Sequence, residues 1–269
     1  MNVEMAMLHA LEAPPLLAAA ASTCSSCNLI ARCLCSQLNA NELRRFEQLL
    51  TRNHRVPRNA ALYRTEEASD KLYVVRYGTF KTVGIDSLGE RYVNGFKMAG
   101  DLMGLDVIAT GSHRFSAFAL EDSEVCEISR AKLDDAMACL PTLLQNFHRI
   151  MSSEIVDGLV DAATRANMRA DRRFATFLLA LSARYAALGY SPKAFHLRMS
   201  RGDIGSYLGI TVESLSRMIA KFKQSGWTSI SRRTVEISDL AALEAFSRGE
   251  NEHLFSARRI EYDTIWSEP

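Results

Sequence analysis

"MSRGDIGSYLGITVESLSRMIAKFKQSGW", residues 199–227, decides the fold of the C-terminal part of this chain. Hydrophobic residues recur at helical spacing on both sides of Gly209, which suits a tight turn. Thr211 follows the turn as a residue type that caps helix N-termini well. Two short helices joined by such a turn form a helix-turn-helix, so the stretch predicts a DNA-binding element.

The second helix of this element carries polar side chains that suit base contacts. Glu213, Ser216 and Arg217 lie at i, i+3 and i+4, so they share one exposed face near the N-terminal end of the helix. Arginine can bond guanine O6 and N7, glutamate can accept from cytosine N4, and serine can bond bases or phosphate. The following "WTSISRRTVEIS", residues 227–238, predicts a hairpin wing with Arg232 and Arg233 at its tip, near the DNA backbone.

The middle of the chain has the pattern of short strands. Between residues 55 and 130, apolar or alternating runs such as "KLYVVRYGTFKTVGI" are separated by glycine turns. This pattern predicts a compact antiparallel roll.

From Pro141 the hydrophobic period becomes helical and continues to about residue 188. Within this helical stretch, six residues follow one another at intervals of four and three, the a/d spacing of a seam that pairs two helices. They are Leu144, His148, Met151, Ile155, Gly158 and Ala162. The same spacing also describes a helix that packs only on its own domain, and the seam alone leaves both interpretations open. The carboxylates of Glu154, Asp157 and Asp161 along or beside the seam would make a dimer marginal.

Length and charge are those of a globular protein. At 269 residues and 48% hydrophobic content, the chain can bury the cores of about two domains. The net charge of +1 requires that any DNA contact come from a local basic surface.

The apolar start of the chain resembles a secretory leader. Three features argue against export: Glu4, the interruption of the apolar run by Pro14 and Pro15, and the absence of Lys or Arg from residues 1–8. No segment approaches the length of a membrane span, so we expect a soluble cytoplasmic protein with no membrane partner.

Four of the six cysteines lie in "ASTCSSCNLIARCLCSQL", residues 21–38. Cys24, Cys27 and Cys33 have the spacing C-x2-C-x5-C, and Cys126 lies far along the chain. In a reducing cytosol clustered cysteines indicate metal or redox chemistry more than disulfides. From spacing alone, a 4Fe–4S cluster and a tetrahedral zinc site are equally good hypotheses.

The sequence resembles the FNR branch of the CRP/FNR superfamily of bacterial transcription regulators. "RGDIGSYLGITVESLSR" is similar to that branch's helix-turn-helix, including the E-x-x-S-R triplet at Glu213, Ser216 and Arg217, and "GFKMAGDLMGLDVI" resembles the family's β-roll. The resemblance implies an α+β fold with a cyclic-nucleotide-binding-like β-roll, a long dimerisation helix and a winged helix-turn-helix. The expected divisions are a cysteine-bearing segment at 1–40, the roll at 41–140, the dimerisation helix at 141–170, the DNA-binding domain at 171–247 and a tail at 248–269.

The resemblance also implies partners and a cofactor. It implies a homodimer that binds palindromic double-stranded DNA with half-sites similar to TTGAT and contacts RNA polymerase. Carried over position by position, Cys24, Cys27, Cys33 and Cys126 would ligate a 4Fe–4S cluster that oxygen destroys, and the intact cluster would favour the dimer. Cys35 and Cys139 match no ligand position, and Gly158 stands where some members carry an acidic residue.

Other functions have weaker support in the sequence. A cyclic-AMP sensor of this fold would resemble its relatives in an Arg-Ser pair, but here Arg114 is followed by Phe115. A regulator with structural zinc and no oxygen response is the main alternative. An enzyme or electron carrier is disfavoured, since no nucleophile-base motif, phosphate loop or dinucleotide fingerprint stands out. The tail after Ser247 has no assigned role.

Overall fold

A computed structural model describes residues 23–250 of the chain. The apolar start of the chain and nearly all of the tail lie outside the described residues. Residue contacts divide the chain into two units, with the division between Val160 and Asp161. Within residues 23–250 no helix has the length and apolar character needed to cross a membrane.

The first unit is a β-roll preceded by the cysteine segment and followed by helices. Its strands are β1 (Leu50–Val56), β2 (Ala61–Tyr63), β3 (Lys71–Tyr77), β4 (Phe80–Ile85), β5 (Arg91–Lys97), β6 (Leu102–Met103), β7 (Ser116–Ala119) and β8 (Ser123–Ser129). Its helices are α1 (Ala40–Glu47), α2 (Val107–Thr110), α3 (Arg130–Cys139) and α4 (Pro141–Asn167), whose last residues belong to the second unit.

The strands of the roll form two antiparallel four-stranded sheets. Their orders are β1-β8-β3-β6 and β2-β7-β4-β5. Alternate residues of β3, β4 and β8, among them Val75, Phe80 and Val125, are fully buried in the core that the two sheets share. Gly78 turns the chain from β3 to β4 with φ of 92°, at a point where a Cβ would lie 2.1 Å from the Ser123 hydroxyl. The predicted roll is confirmed.

A second core covers the other face of the first sheet. Leu72 and Ile128 from β3 and β8 pack there with Phe46 of α1, Leu143 of α4 and Leu34 of the cysteine segment. This core joins the cysteine segment to the beginning of the long helix.

The helical pattern that begins at Pro141 forms two helices. The first, α4, ends at Asn167, and α5 (Ala170–Ala187) begins after Arg169, whose backbone is extended. No glycine or proline marks this break in the sequence.

The second unit is a winged helix-turn-helix. After α5 come β9 (Ala194–His196), α6 (Arg201–Leu208), α7 (Val212–Gln224), β10 (Thr228–Ser231), β11 (Thr234–Ile237) and α8 (Leu240–Arg248). The three strands form an antiparallel sheet in the order β10-β11-β9. A core of aromatic side chains joins the helices to the wing, and its members are Phe174, Phe222, Trp227 and Phe246. The α+β architecture predicted from the sequence is thus confirmed.

Candidate cysteine centre and DNA interface

The N-terminal cysteines lie in two short 3-10 turns, Cys24–Ser26 and Ile30–Arg32. Cys27 and Cys33 directly follow these turns, and their N–H groups donate to the carbonyls of Cys24 and Leu29 at 3.1 and 3.0 Å. Cys126 reaches the same region from β8. Cys24, Cys33 and Cys126 all pack, half-buried, against the core that joins the first sheet to α4.

The cysteine thiols interact with one another. Cys35, which is 1% exposed, hydrogen-bonds with Cys24 and Cys33, and this lowers the pKa of Cys33 to about 7 and raises that of Cys35. Burial, together with the negative charges of Cys33, Cys24 and Cys27, raises the pKa of Cys126 to about 12. The Cys126 thiol donates to Asn53 Oδ1 at 3.7 Å. The four predicted ligands therefore lie close enough to shift one another's titration.

The donor set fits an iron–sulfur cluster by its chemistry. All six cysteines are free thiols, and the four predicted ligands supply sulfur alone. Within residues 23–250 no three Cys, His, Asp or Glu side chains already stand in the arrangement of a metal site.

A buried amide ties the cysteine segment to α4. The Asn146 side chain, in a residue that is 5% exposed, donates its Nδ2 hydrogens to the carbonyls of Leu34, at 3.2 Å, and of Ser36. Arg149, one turn on, donates to the Ser36 hydroxyl at 3.3 Å. We call Asn146 and its two carbonyl acceptors the amide clamp. Asn146 was not among the residues predicted from the sequence, although a polar residue on the apolar face of a helix is a signal for such a contact.

Beyond the clamp, α4 exposes an apolar stripe. Ile155, Val156, Leu159 and Val160 are 61%, 53%, 66% and 57% exposed. Of the predicted seam, Leu144, His148, Ile155, Gly158 and Ala162 are exposed and Met151 is half-buried. A contiguous exposed apolar surface of this kind marks an interaction site.

The carboxylates near the seam have partners within the chain. Glu154 pairs with Lys97, Asp157 accepts from Ser153 at 3.3 Å, and Asp161 accepts from the Tyr207 hydroxyl at 2.7 Å. Asp157 lies two residues from both Ile155 and Leu159, which places it on the side of the helix opposite these two residues. The expectation that these carboxylates weaken a dimer stays a prediction.

In the second unit, the helix-turn-helix has the local structure that its sequence indicates. Gly209 ends α6 in the left-handed conformation with φ of 65°, and the Thr211 hydroxyl caps α7 by accepting from Ser214 N at 3.1 Å. Gly205 allows close approach of the two helices, because a Cβ there would lie 2.8 Å from the Ile210 carbonyl oxygen.

The predicted base-contacting residues lie on the outer face of α7. Glu213 and Arg217 are exposed and Ser216 is half-buried. The carboxylate of Glu213 accepts from its own backbone N–H at the helix N-terminus, which lowers its pKa and keeps it ionised. The Arg201 guanidinium donates to the Ser216 hydroxyl at 3.3 Å, so α6 adds a cation to this face that the sequence analysis did not include.

The wing forms as predicted between β10 and β11. Ser231 pairs with Thr234, and Arg232 and Arg233 make the turn, with Arg232 in the left-handed region at φ of 53°. Arg232 is exposed and Arg233 is half-buried.

Comparison with known proteins follows the same division. Residues 172–246 match the Crp-like helix-turn-helix domain, and residues 53–138 match the cyclic nucleotide-binding domain. The chain is 43% identical over 224 residues to the transcriptional regulatory protein btr of Bordetella pertussis, with 83% of this chain and 93% of the relative covered. The chain belongs to the CRP/FNR family of transcription regulators. Members of this family bind DNA as dimers.

Two further similarities place this CRP/FNR regulator among its relatives. It is 37% identical to the fumarate and nitrate reduction regulatory protein of Escherichia coli K12, with 82% of this chain and 88% of the relative covered. Its structure is similar to that of FixK2 from Bradyrhizobium japonicum, with a TM-score of 0.66 and 25% identity over 72% of this chain and 95% of the other.

Proposed function

We propose that this DNA-binding regulator responds to oxygen through a 4Fe–4S cluster held by Cys24, Cys27, Cys33 and Cys126. The observation that carries the proposal is that the free thiols of Cys24, Cys33 and Cys126 meet at one core, with Cys27 close enough that burial and the charges of Cys33 and Cys24 together raise its pKa. The segment that bears the three N-terminal cysteines is hydrogen-bonded to the long helix. When bound, the cluster would supply the oxygen-labile chemistry. The fumarate and nitrate reduction names of several relatives agree with a regulator of anaerobic metabolism.

The amide clamp gives this site a route to the dimer interface. Leu34 and Ser36 lie one and three residues after Cys33, and their carbonyls accept hydrogen bonds from Asn146 of α4. A change in the path of the segment after Cys33 therefore acts on the first turns of α4. The apolar stripe lies farther along the same helix, so we infer that the state of the segment biases pairing of two copies.

The DNA-binding form would be a homodimer with two recognition helices in successive major grooves. We propose palindromic targets with TTGAT-type half-sites, read by Glu213, Ser216 and Arg217, with Arg232 and Arg233 at phosphates. RNA polymerase is the proposed partner of the bound dimer. The alternative is a regulator of the same fold with structural zinc and no response to oxygen.

The test is iron, sulfide and zinc quantification with visible spectroscopy on protein isolated without oxygen, before and after exposure to air. We expect iron and sulfide in equal amounts, visible absorbance that air removes, and tighter binding to a TTGAT palindrome before air than after. Cys126→Ser should abolish the absorbance, whereas Cys139→Ser, at an exposed cysteine outside the ligand set, should retain it. Colourless protein with one zinc would support the alternative, and equal DNA affinity before and after air would refute the switch.

A further inference from the structure

Strand β9 places a histidine beside the tip of the wing. His196 pairs with Thr234, the first residue of β11 after the turn at Arg232 and Arg233. The chain continues along the wing, since Leu197 N donates to the Arg233 carbonyl at 2.7 Å. Arg233 Nη1 also approaches the Arg198 carbonyl at 3.5 Å.

Positive charge accumulates at this point. Burial lowers the pKa of His196, and the charges of Arg198 and Arg233 lower it further. Other polar groups near the histidine are its strand partner Thr234 and the Tyr185 hydroxyl, which donates to the His196 carbonyl at 2.8 Å. Glu236 lies two register pairs farther along the sheet, opposite Ala194. In the free protein the arginines therefore oppose protonation of the imidazole.

We propose that His196, Arg198 and Arg233 form a binding site for a phosphate of the DNA backbone, and that His196 takes up a proton when this phosphate binds. A phosphodiester carries a negative charge that would relieve the repulsion among the cations. Because the two arginines stay charged near neutral pH, the imidazole is the member of the site whose charge changes there.

This site adds strand β9 to the DNA interface already described on α7 and the wing. It lies in the second unit and involves none of the cysteines, so it does not depend on the proposed oxygen response. A backbone contact carries no direct sequence information. Its contribution is therefore the same for a specific palindrome and for a scrambled duplex.

Thermodynamic linkage between proton binding and DNA binding determines whether DNA affinity rises or falls with pH. If protonated His196 binds the phosphate more tightly, bound DNA raises the pKa of the imidazole by the corresponding amount. DNA affinity is then highest at low pH and falls as pH rises through the pKa of the DNA-bound imidazole. Each unit of that rise corresponds to about a tenfold change in affinity.

The experiment is fluorescence anisotropy with a TTGAT palindrome and a scrambled duplex, from about pH 6 to about pH 8, the range in which histidine titrates. Holoprotein is used without oxygen at constant ionic strength, and its visible absorbance is checked at each pH. We expect wild-type affinity for both duplexes to fall severalfold across this range. His196→Gln should bind at all pH values as the wild type does at the highest pH, and His196→Lys should bind tightly throughout.

His54→Gln is the matched control, because His54 is an exposed histidine on β1 of the other unit. It should retain the wild-type pH dependence. Calorimetry of wild-type binding near pH 7 in two buffers of different ionisation enthalpy gives a second measurement, with net proton uptake expected. An unchanged pH dependence in His196→Gln, or wild-type binding without proton uptake, would overturn the proposal, whatever the result of the air-exposure test.

Discussion

Arg217 is exposed on the outer face of α7, where its guanidinium donates to the Ser214 hydroxyl at 3.2 Å. This weak local bond can be exchanged for a bidentate contact with a guanine. We expect Arg217→Ala to cost about 1–3 kcal/mol at one base pair and to relax the preference there. The measurement is competition among duplexes that differ by single base pairs.

Lys223→Ala, in the last turn of the same helix, provides the comparison for Arg217→Ala. Lys223 is exposed but lies far from the N-terminal end of α7, so its removal should leave base preference unchanged. If Arg217→Ala weakened binding to all sequences equally, Arg217 would be a phosphate contact.

At the residue scale, the sequence predicted the position of a side chain where the period of a helix alone determines it. Glu213, Ser216 and Arg217 could be assigned to one face because a helix brings i, i+3 and i+4 together. Asn146 and His196 could not be assigned roles in this way, since their partners lie on other elements. The same holds for Cys35: the family resemblance leaves it outside the ligand set, and its hydrogen bonds with Cys24 and Cys33 depend on the folded loop.

Helix α4 is the element that links the cysteine segment to the apolar stripe. Asn146→Leu keeps a side chain of similar size but removes both donors of the amide clamp, leaving the buried carbonyls of Leu34 and Ser36 without them. We expect a loss of about 1–3 kcal/mol in stability. We also expect unchanged iron and sulfide content but a dimer dissociation constant that no longer differs before and after air. Thermal unfolding, metal analysis and sedimentation measure the three quantities.

Arg149→Ala is the comparison for the clamp, because Arg149 is exposed and donates to the Ser36 hydroxyl, not to the two carbonyls of the amide clamp. It should weaken the coupling less than Asn146→Leu does. Loss of iron in Asn146→Leu would instead show that Asn146 shapes the cysteine segment and has no separate role in coupling.

At the element scale, turns and caps were predictable and one helix break was not. Gly209 and Thr211 carry local signals that fix the helix-turn-helix. The break at Met168 and Arg169 has no such signal, because both residue types are good helix formers. There the extended backbone of Arg169 overrides local preference, so the hydrophobic period showed one helical block where the structure has α4 and α5. The expected end of the dimerisation helix at residue 170 came from the family resemblance.

At the scale of the whole molecule, the chain assembles its sites from distant segments. Cys126 meets the N-terminal cysteines only because β8 lies between β1 and β3, a strand order that no local pattern reveals. The family resemblance supplied this pairing in the sequence analysis. The stripe differs, since it shares only Ile155 with the seam that the hydrophobic period predicted, and the sequence could not show which apolar residues of α4 the protomer itself covers.

Dimerisation through the stripe is the property of the whole molecule that a single substitution tests best. Leu159 is 66% exposed, so Leu159→Glu should leave the protomer folded while placing a charge, and its symmetry copy, in the proposed interface. Loss of a central apolar contact costs about 2 kcal/mol or more, which weakens the dimer more than about tenfold.

Leu88→Glu is the control for Leu159→Glu. Leu88 is 85% exposed between β4 and β5, so Leu88→Glu adds the same charge away from α4 and should leave the dimer intact. Sedimentation equilibrium without oxygen distinguishes the two variants, and anisotropy should show that Leu159→Glu loses its advantage for a palindrome over a single half-site. A Leu159→Glu protein that dimerises as tightly as Leu88→Glu would show that the two copies pair through another surface.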